Sequence, residues 1–354
     1  MKMCPLGLTS LPVFPEKRQK EAISASPNDR RGGLSHRSFR LRGAVLVLAI
    51  LLLAGAARAG EPAFAPAEAS PFAAQQMILG ATVLPGGRVV AVGARGTVLL
   101  SDDGVAFRQA AHVPVQLTLT SVAFVDDRQG WAGGHGGVVL HTVDGGETWD
   151  LLRSETAEDR PIFALLFQNS RDGIAVGLWS LLLVTHDGGV TWQQQALPQE
   201  SGAGHEDRNL TSVFADASGT LFVTAEGGRL FRSRDGGATW SSVDIGYCGT
   251  LWTGRALADG TLLVGGLRGS LFRSADGGRT WAAVPSGTRS SITGFAQGPD
   301  GRVVATALDG VQLDSRDDGA SFQTSERPDR MALTALVVRA GRLLLFSKQG
   351  IATE

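Results

Sequence analysis

The octapeptide TVDGGETW (142–149) recurs three times along the chain, as THDGGVTW (185–192), SRDGGATW (233–240) and SADGGRTW (274–281). Two weaker copies flank these four, SDDGVAF (101–107) and SRDDGASF (315–322). The third-position aspartates are Asp103, Asp144, Asp187, Asp235, Asp276 and Asp317, and successive aspartates lie 41, 43, 48, 41 and 41 residues apart. A repeat of this length indicates a solenoid or a propeller, and it is the feature of the sequence that most strongly constrains the fold.

The sequence around each copy, which we call an Asp box, predicts four short strands per repeat. A β-branched run that ends in a turn comes first, such as LTSVAFVDDRQG (119–130). A short apolar segment and a Gly-containing turn follow, and an alternating strand such as VVLHT (138–142) leads into the box. Four strands in about 40–45 residues are typical of a propeller blade. We therefore predict an all-β fold, a seven-bladed β-propeller of four-stranded antiparallel blades.

The seventh repeat is incomplete. It begins at LTALVVRAGRLLLFSKQG (333–350) and has neither a box nor a fourth strand. An open sheet edge at this place would favour association with other chains. We therefore expect residues 62–76 to supply the missing strand and to close the ring.

The boxes themselves are interpreted as structural. An aspartate at the start of a turn accepts backbone N–H bonds, and the glycine pair supplies backbone angles that other residues resist. The indole rings of Trp149, Trp192, Trp240 and Trp281 are expected to pack in the blade cores. We therefore expect six turn-forming aspartates and no catalytic residue among them.

The N-terminal residues are typical of an export signal. The apolar run GAVLVLAILLLAGA (43–56) follows a basic stretch, is short for a membrane-spanning helix and precedes the small-x-small sequence Ala57-Arg58-Ala59. We predict a signal peptide with a long basic extension (1–59), an N-terminal segment (60–76) and the propeller (77–354). The expected location is the periplasm or an equivalent space. Two alternatives for the long extension remain: translation starts further downstream, or residues 43–56 stay as a membrane anchor.

Charge argues against general nucleic-acid binding. Residues 1–59 hold ten Lys and Arg against three Asp and Glu, which leaves 23 basic and 31 acidic residues and a net charge of −8 for residues 60–354. Nucleic-acid binding requires a basic surface, which an acidic body of this kind does not predict.

The repeat resembles the BNR/Asp-box repeats, and in particular those of the photosystem II stability/assembly factor family. The matching stretches are GARGTVLLSDDG (93–104), GGHGGVVLHTVDGGETW (133–149) and GGLRGSLFRSADGGRTW (265–281). This resemblance implies an exported, non-enzymatic assembly factor that binds a protein partner, a segment of a membrane or envelope protein. It implies no cofactor, and we expect a monomer.

Candidate partner-binding residues lie in the turn between the second and third strands of each blade, the 2–3 turn. This turn lies on the face opposite the boxes, and its residues vary where the box residues do not. The seven candidates are Arg95, His135, Trp179, Glu226, Arg268, Asp309 and Lys348. Lys348 is the only lysine after residue 59. Since Arg95, Arg268 and Lys348 are cationic, we expect an acidic or carboxylate-ended peptide segment as the ligand.

The sequence offers three alternatives to this interpretation. Sialidases use the same architecture, and Tyr247 with Glu226, Arg95 and Arg268 would be the residues for such chemistry, but the sialidase N-terminal signature is absent and no paired carboxylates stand out. His205, Glu206 and Asp207 in the long loop 193–209 are adjacent residues that rarely converge on one ion, so no metal site is expected. A purely structural subunit of an export or envelope complex is the third alternative.

Overall fold

The computed structural model describes residues 64–198 and 207–352, which fold entirely as β-strands, turns and short 3-10 segments. Seven antiparallel sheets are arranged in a ring, and the first strand of each sheet contacts the first strand of the next. This arrangement confirms the predicted seven-bladed β-propeller. The contacts divide the chain into residues 1–63 and residues 64–354, and the second unit is the propeller.

Each blade is a meander whose strands follow one another in chain order. The first three blades contain β1 (Ile78–Val83), β2 (Val89–Gly93), β3 (Val98–Ser101) and β4 (Arg108–Gln109); β5 (Leu119–Phe124), β6 (Gly130–Gly134), β7 (Val139–Thr142) and β8 (Asp150–Arg153); and β9 (Ile162–Phe167), β10 (Gly173–Gly177), β11 (Leu182–Thr185) and β12 (Gln193–Gln194).

The remaining blades continue the same order. They contain β13 (Leu210–Ala215), β14 (Leu221–Ala225), β15 (Arg229–Ser233) and β16 (Ser241–Asp244); β17 (Leu251–Ala256), β18 (Leu262–Gly266), β19 (Leu271–Ser274) and β20 (Ala282–Ala283); β21 (Ile292–Gln297), β22 (Val303–Ala307), β23 (Val311–Ser315) and β24 (Gln323–Glu326); and β25 (Leu333–Arg339), β26 (Arg342–Ser347) and β27 (Gly350–Ala352).

The core lies between neighbouring blades. The second strand of blade 1, β2, is buried along its whole length, because both of its faces meet a neighbouring sheet. Its side chains therefore belong to two hydrophobic clusters: Val90 and Val92 pack with blade 2, whereas Val89 and Ala91 pack with blade 7. A strand buried on both faces requires a continuous apolar run, which explains the short apolar segment in every repeat.

The first strand of each blade is the innermost one in the ring, and in every blade it carries a β-bulge at its second residue. The pairing register with the second strand shifts there in all seven blades, and the extra residues are Leu79, Thr120, Phe163, Thr211, Trp252, Thr293 and Thr334. Because a bulge bends its strand and increases the twist, it is suited to strands that converge on a central channel.

Blade 7 differs from the expected closing arrangement, since its sheet has three strands in the described residues. Residues Ala73–Gln75 form a 3-10 segment that contacts β27, where a fourth strand was expected from residues 62–76. The segment before it is held elsewhere, because the N–H of Ala67 donates to the carbonyl of Val113 (2.9 Å) and the side chain of Gln109 donates to the carbonyl of Glu68 (2.9 Å). Too little chain is left to run along β27 as a strand.

The ring closes instead through contacts between blades 7 and 1. Arg339, at the end of β25, donates to the carbonyls of Gly87 (2.6 Å), Asp103 (2.9 Å) and Asp102 (2.5 Å) in blade 1. A planar guanidinium has five N–H donors, so this one side chain can satisfy carbonyls of two turns of blade 1 at once.

No helix within residues 64–198 and 207–352 is long and apolar enough to span a membrane. The apolar run 43–56, and with it the predicted signal or anchor, lies outside the described residues.

Candidate functional site

The Asp boxes form the turns between the third and fourth strands of blades 1 to 6. In the second box the N–H and hydroxyl of Thr148 donate to the two carboxylate oxygens of Asp144 (3.0 and 2.6 Å), and the hydroxyl of Thr142 donates to the same carboxylate (2.8 Å). The N–H of Gly146 in turn donates to the Thr142 hydroxyl (3.1 Å). The hydrogen bonds of this carboxylate are thus made to its own turn.

These hydrogen bonds lower the pKa values of the box carboxyl groups. The pKa falls to about 2 in Asp187 and Asp235, first through the threonine hydroxyl of the same box, and to about 2 in Asp317, where Ser321 takes the place of the threonine. In Asp276 the pKa is also lowered, mainly by the N–H of Thr280. Hydrogen bonds donated to a carboxylate favour its ionised form.

The box tryptophans pack between blades. The indole N–H donates to the second box glycine in three boxes, from Trp149 to Gly146 (2.9 Å), from Trp192 to Gly189 (3.0 Å) and from Trp240 to Gly237 (3.0 Å). The indole nitrogen of Trp281 is buried and has no hydrogen-bond partner in the described residues. Trp149 is 1% exposed and lies in the cluster shared by blades 1 and 2.

The 2–3 turns lie on the opposite face of the ring. They contact the connections between blades. In blade 1 the N–H groups of Ala94 and Gly96 donate to the carbonyls of Met77 and Leu117, and in blade 2 the N–H of His135 donates to the carbonyl of Thr118. We call this side the connection face and the other side the box face. The first residue of each innermost strand is at the connection face, because it pairs with the last residue of the second strand.

In blades 1 to 6 the 2–3 turns share one shape, with two successive left-handed residues in the middle. The first of the two is Arg95 (φ 57°), Gly136 (65°), Trp179 (52°), Gly227 (68°), Arg268 (57°) and Asp309 (60°); the second is a glycine except in blade 3, where it is Ser180 (54°). His135 and Glu226 are therefore not equivalent to the other candidates, because each lies one position earlier in its turn. Lys348 lies in the shorter turn between β26 and β27.

The left-handed conformation makes the non-glycine residues unusual. For an L-residue it costs roughly 1–2 kcal/mol, and bulky side chains are found there rarely. Gly136 and Gly227 show that glycine forms the same turn. The turn itself therefore does not require an arginine or a tryptophan at positions 95, 179 and 268.

The candidate side chains differ in what they contact. Arg95, Arg268 and Lys348 are exposed, and none has an ion pair among the described residues; Trp179 is 51% exposed. The carboxylate of Glu226 accepts hydrogen bonds from the backbone and side chain of Asn209 (3.0 and 2.9 Å).

The cationic candidates lie in one part of the ring. Arg268 belongs to blade 5, Lys348 to blade 7 and Arg95 to blade 1. Sequence reasoning missed Arg289, which is exposed in the connection from blade 5 to blade 6 and also has no ion pair in the described part of the chain. Within this sector the carboxylate of Asp309 in blade 6 accepts a hydrogen bond from the hydroxyl of Ser290 (2.7 Å).

Arg255 is a further residue that sequence reasoning missed. It lies on innermost strand β17, and its Nη1 donates to the carbonyl of Phe295 on innermost strand β21 (3.4 Å). The side chain is accessible to water but enclosed by protein, and this enclosure lowers the pKa of the guanidinium. An arginine in the middle of a predicted innermost strand was the signal that could have identified it.

The residues considered for sialidase chemistry are not joined by hydrogen bonds. The hydroxyl of Tyr247 donates to the carbonyl of Leu267 (3.3 Å), and its ring packs against Phe272 with centroids 5.2 Å apart. Glu226, which would have to assist the tyrosine, is bonded to Asn209. Both groups have local structural contacts in this arrangement.

No group of three or more His, Cys, Asp or Glu side chains in the described segments is placed to hold a metal ion. His205 and Glu206, considered in the sequence as members of an adjacent trio with Asp207, lie outside those segments.

Comparison with known proteins identifies similar propellers. The sequence model of the family described as photosynthesis system II assembly factor YCF48 matches residues 155–321. A solved structure described as YCF48 bound to D1 peptide is 18% identical, covers 80% of this chain and 94% of its own, and has a TM-score of 0.63. YCF48 from Cyanidioschyzon merolae is also 18% identical, with coverages of 81% and 97% and a TM-score of 0.63.

The same fold also occurs in enzymes. A streptogramin B lyase structure has a TM-score of 0.66 at 11% identity, and covers 78% of this chain and 93% of its own. Among curated proteins, no sequence matches this chain. At these identities the structural similarity establishes the fold, and function has to be argued from the residues of the connection face.

Proposed function

We propose that this chain, a β-propeller that resembles the photosystem II assembly factors, is a non-enzymatic assembly factor that binds a segment of a membrane or envelope protein on its connection face. The match of residues 155–321 to the assembly-factor family supports a protein-binding role. The similar structure described as YCF48 bound to D1 peptide supports a peptide segment as the ligand.

The observation that carries the proposal is the left-handed conformation of Arg95, Trp179 and Arg268. A residue kept in a costly conformation that a glycine would avoid indicates a role for its side chain outside the fold. Arginine and tryptophan are also the side chains that most often dominate the energy of protein interfaces. The connection face thus presents side chains that the turns do not need and that interfaces favour.

The charge of this face supports an acidic ligand. Arg95, Arg268, Arg289 and Lys348 lack ion pairs among the described residues, although residues 60–354 carry a net charge of −8. Such a local cationic sector on an acidic protein selects a partner segment rich in carboxylates, because the rest of the surface repels it.

Glycine substitution tests the proposal without disturbing the turn. In the double variant Arg95→Gly and Arg268→Gly, two left-handed residues become glycines, as in blades 2 and 4. We expect the thermal stability to change little, because relief of strain offsets the greater freedom of glycine in the unfolded chain. Partner capture from envelope extracts, quantified by mass spectrometry, should fall roughly tenfold or more, since each hot-spot arginine contributes about 1–3 kcal/mol.

The matched control is Arg234→Gly, which removes an exposed arginine of the box face. It should capture the partner as the wild type does. Capture that survives in the double variant and is lost in the control would place the binding surface on the box face and contradict the proposal.

We further propose that the protein acts after export, in the periplasm or an equivalent space, as a monomer. The signal-like sequence of residues 43–59 supports the export. Intact mass measured on protein from the envelope fraction should correspond to a chain that begins at Gly60. A mass that includes residues 1–59 would favour an anchored protein.

A further inference from the structure

The seven bulge residues of the innermost strands are of two chemical kinds. Blades 2, 4, 6 and 7 carry a threonine at this position, and blades 1, 3 and 5 carry Leu79, Phe163 and Trp252. All seven are next to the first residue of an innermost strand, at the connection face. They are therefore arranged around the point where the central channel opens on that face, which we call the channel mouth.

Three of the threonines tie neighbouring blades together. The hydroxyl of Thr120 donates to the carbonyl of Ile162 in the next blade (2.5 Å), that of Thr211 to Leu251 (2.6 Å), and that of Thr334 to Ile78. In each case the acceptor is the first residue of the following innermost strand. The bulge threonines of blades 2, 4 and 7 are thus explained by the packing of the ring, while the hydroxyl of Thr293 in blade 6 donates to the carbonyl of Thr306 in its own blade (3.1 Å).

Leu79, Phe163 and Trp252 have no comparable structural role. A leucine or phenylalanine side chain cannot donate this hydrogen bond, and the indole N–H of Trp252 has no hydrogen-bond partner among the described residues. All three are half-buried, and in the described part of the chain none belongs to the buried core clusters or packs against them. Large apolar side chains left partly in water at a concave site are typical of the anchor region of an interface.

We propose that Leu79, Phe163 and Trp252 line an apolar site at the channel mouth that receives one large apolar side chain from an acidic segment of the partner protein. The inference rests on the proposed function and adds the kind of residue that anchors the partner. The acidic character of the segment follows from Arg95, Arg268, Arg289 and Lys348, which lie on the same face. An apolar centre surrounded by charged groups is the usual anatomy of a specific interface.

Threonine substitutions offer a test that preserves the fold. Leu79→Thr, Phe163→Thr and Trp252→Thr each introduce the residue that four other blades already carry at the same bulge. We expect the three single variants of the full-length protein to melt within a few degrees of the wild type in circular dichroism.

Two fluorescently labelled decapeptides serve as probes. Both carry four glutamates; one has a single central leucine, and the other has serine in its place. Fluorescence anisotropy should show that the wild type binds the leucine peptide about 10–100-fold more tightly, as expected for burial of one large apolar side chain. Each threonine variant should reduce this ratio, whereas the Arg95→Gly and Arg268→Gly variant should weaken both peptides equally.

Several results would overturn the inference. They are an unchanged ratio in all three threonine variants, a wild type without preference for leucine, or no binding of either peptide. The proposed function would still stand if the Arg95→Gly and Arg268→Gly double variant loses its partner in extracts. If the double variant keeps its partner, the proposed function fails together with the inference. Wild-type dimers in sedimentation experiments that the threonine variants lose would identify a second copy as the occupant, and would also overturn the inference.

Discussion

The carboxylate of each Asp box acts within its own turn. It accepts hydrogen bonds from the N–H and the hydroxyl of the threonine four positions later, as in Asp144, Asp187 and Asp235. This arrangement is that of a capping side chain, which stabilises a turn by satisfying its N–H groups. The box residues repeat along the chain because the backbone requires them.

The lowered pKa values of the box aspartates predict acid sensitivity. The pKa of Asp235 is about 2 in the folded protein and about 3.9 in an unfolded chain. A carboxyl group of this kind stabilises the fold above its unfolded pKa, and that contribution disappears as the pH falls through the folded value. We expect melting temperatures that are constant above about pH 5 and fall between about pH 4 and pH 2.

Asp235→Asn is the control for this titration. The amide keeps an acceptor oxygen but has no proton to gain, so its melting temperature should be lower at pH 7 and should depend less on pH than that of the wild type. Parallel curves for the two proteins between pH 5 and pH 2 would show that the aspartate does not contribute to the transition.

At the scale of the element, the sequence pattern predicted the 2–3 turns correctly only in part. The pattern located the turns and their face, but it placed His135 and Glu226 with Arg95 and Arg268. Alignment on the last residue of the second strand, from Gly93 and Gly134 onward, would have set Gly136 opposite Arg95. The left-handed angle itself depends on the folded backbone and is not visible in a residue's identity.

The closing element could not be predicted from the sequence for a different reason. Residues 62–76 were expected to add a strand to blade 7, yet Gln109 and Val113 of the distant blade 1–blade 2 region hold this segment. Such long-range contacts leave no local signal. The 3-10 segment Ala73–Gln75 covers β27 closely: a Cβ atom on Gly350 would lie 1.9 Å from the carbonyl oxygen of Ala74.

This contact predicts a coupling between the N-terminal segment and β27. Gly350→Ala should destabilise the protein more than Gly341→Ala, because both glycines have positive φ (96° and 79°) but a Cβ on Gly341 would meet nothing within 4 Å. Deletion of everything before Met77 should itself lower the free energy of unfolding by about 2–3 kcal/mol, through loss of apolar contacts of Phe64, Ala67 and Ala73.

Urea unfolding of six proteins measures this coupling: the full-length and truncated chains, each unsubstituted, with Gly350→Ala and with Gly341→Ala. In the truncated chain the cost of Gly350→Ala should fall to that of Gly341→Ala, because the clashing carbonyl is gone. An unchanged difference between the two alanine variants after truncation would show that the segment does not cover β27.

At the scale of the whole molecule, the two faces of the ring differ in what controls their residues. The box face repeats Asp, Gly and Thr or Ser because its turns need them, whereas the connection face carries Arg95, Trp179 and Arg268 at positions where glycine would serve. The ring was predictable because the residues that form the box turns recur in the sequence once per blade. Leu79, Phe163, Trp252 and Arg255 were not singled out, since their significance depends on strand register and on the channel that only the closed ring creates.

The central claim is that the partner binds the connection face, and hydrogen–deuterium exchange of the propeller with and without its captured partner tests it most directly. We predict slower exchange in the complex at the 2–3 turns, around residues 94–97, 178–181 and 267–270, and unchanged exchange at the box turns, such as 144–148 and 276–280. Protection confined to the box turns, with the 2–3 turns unaffected, would contradict the account.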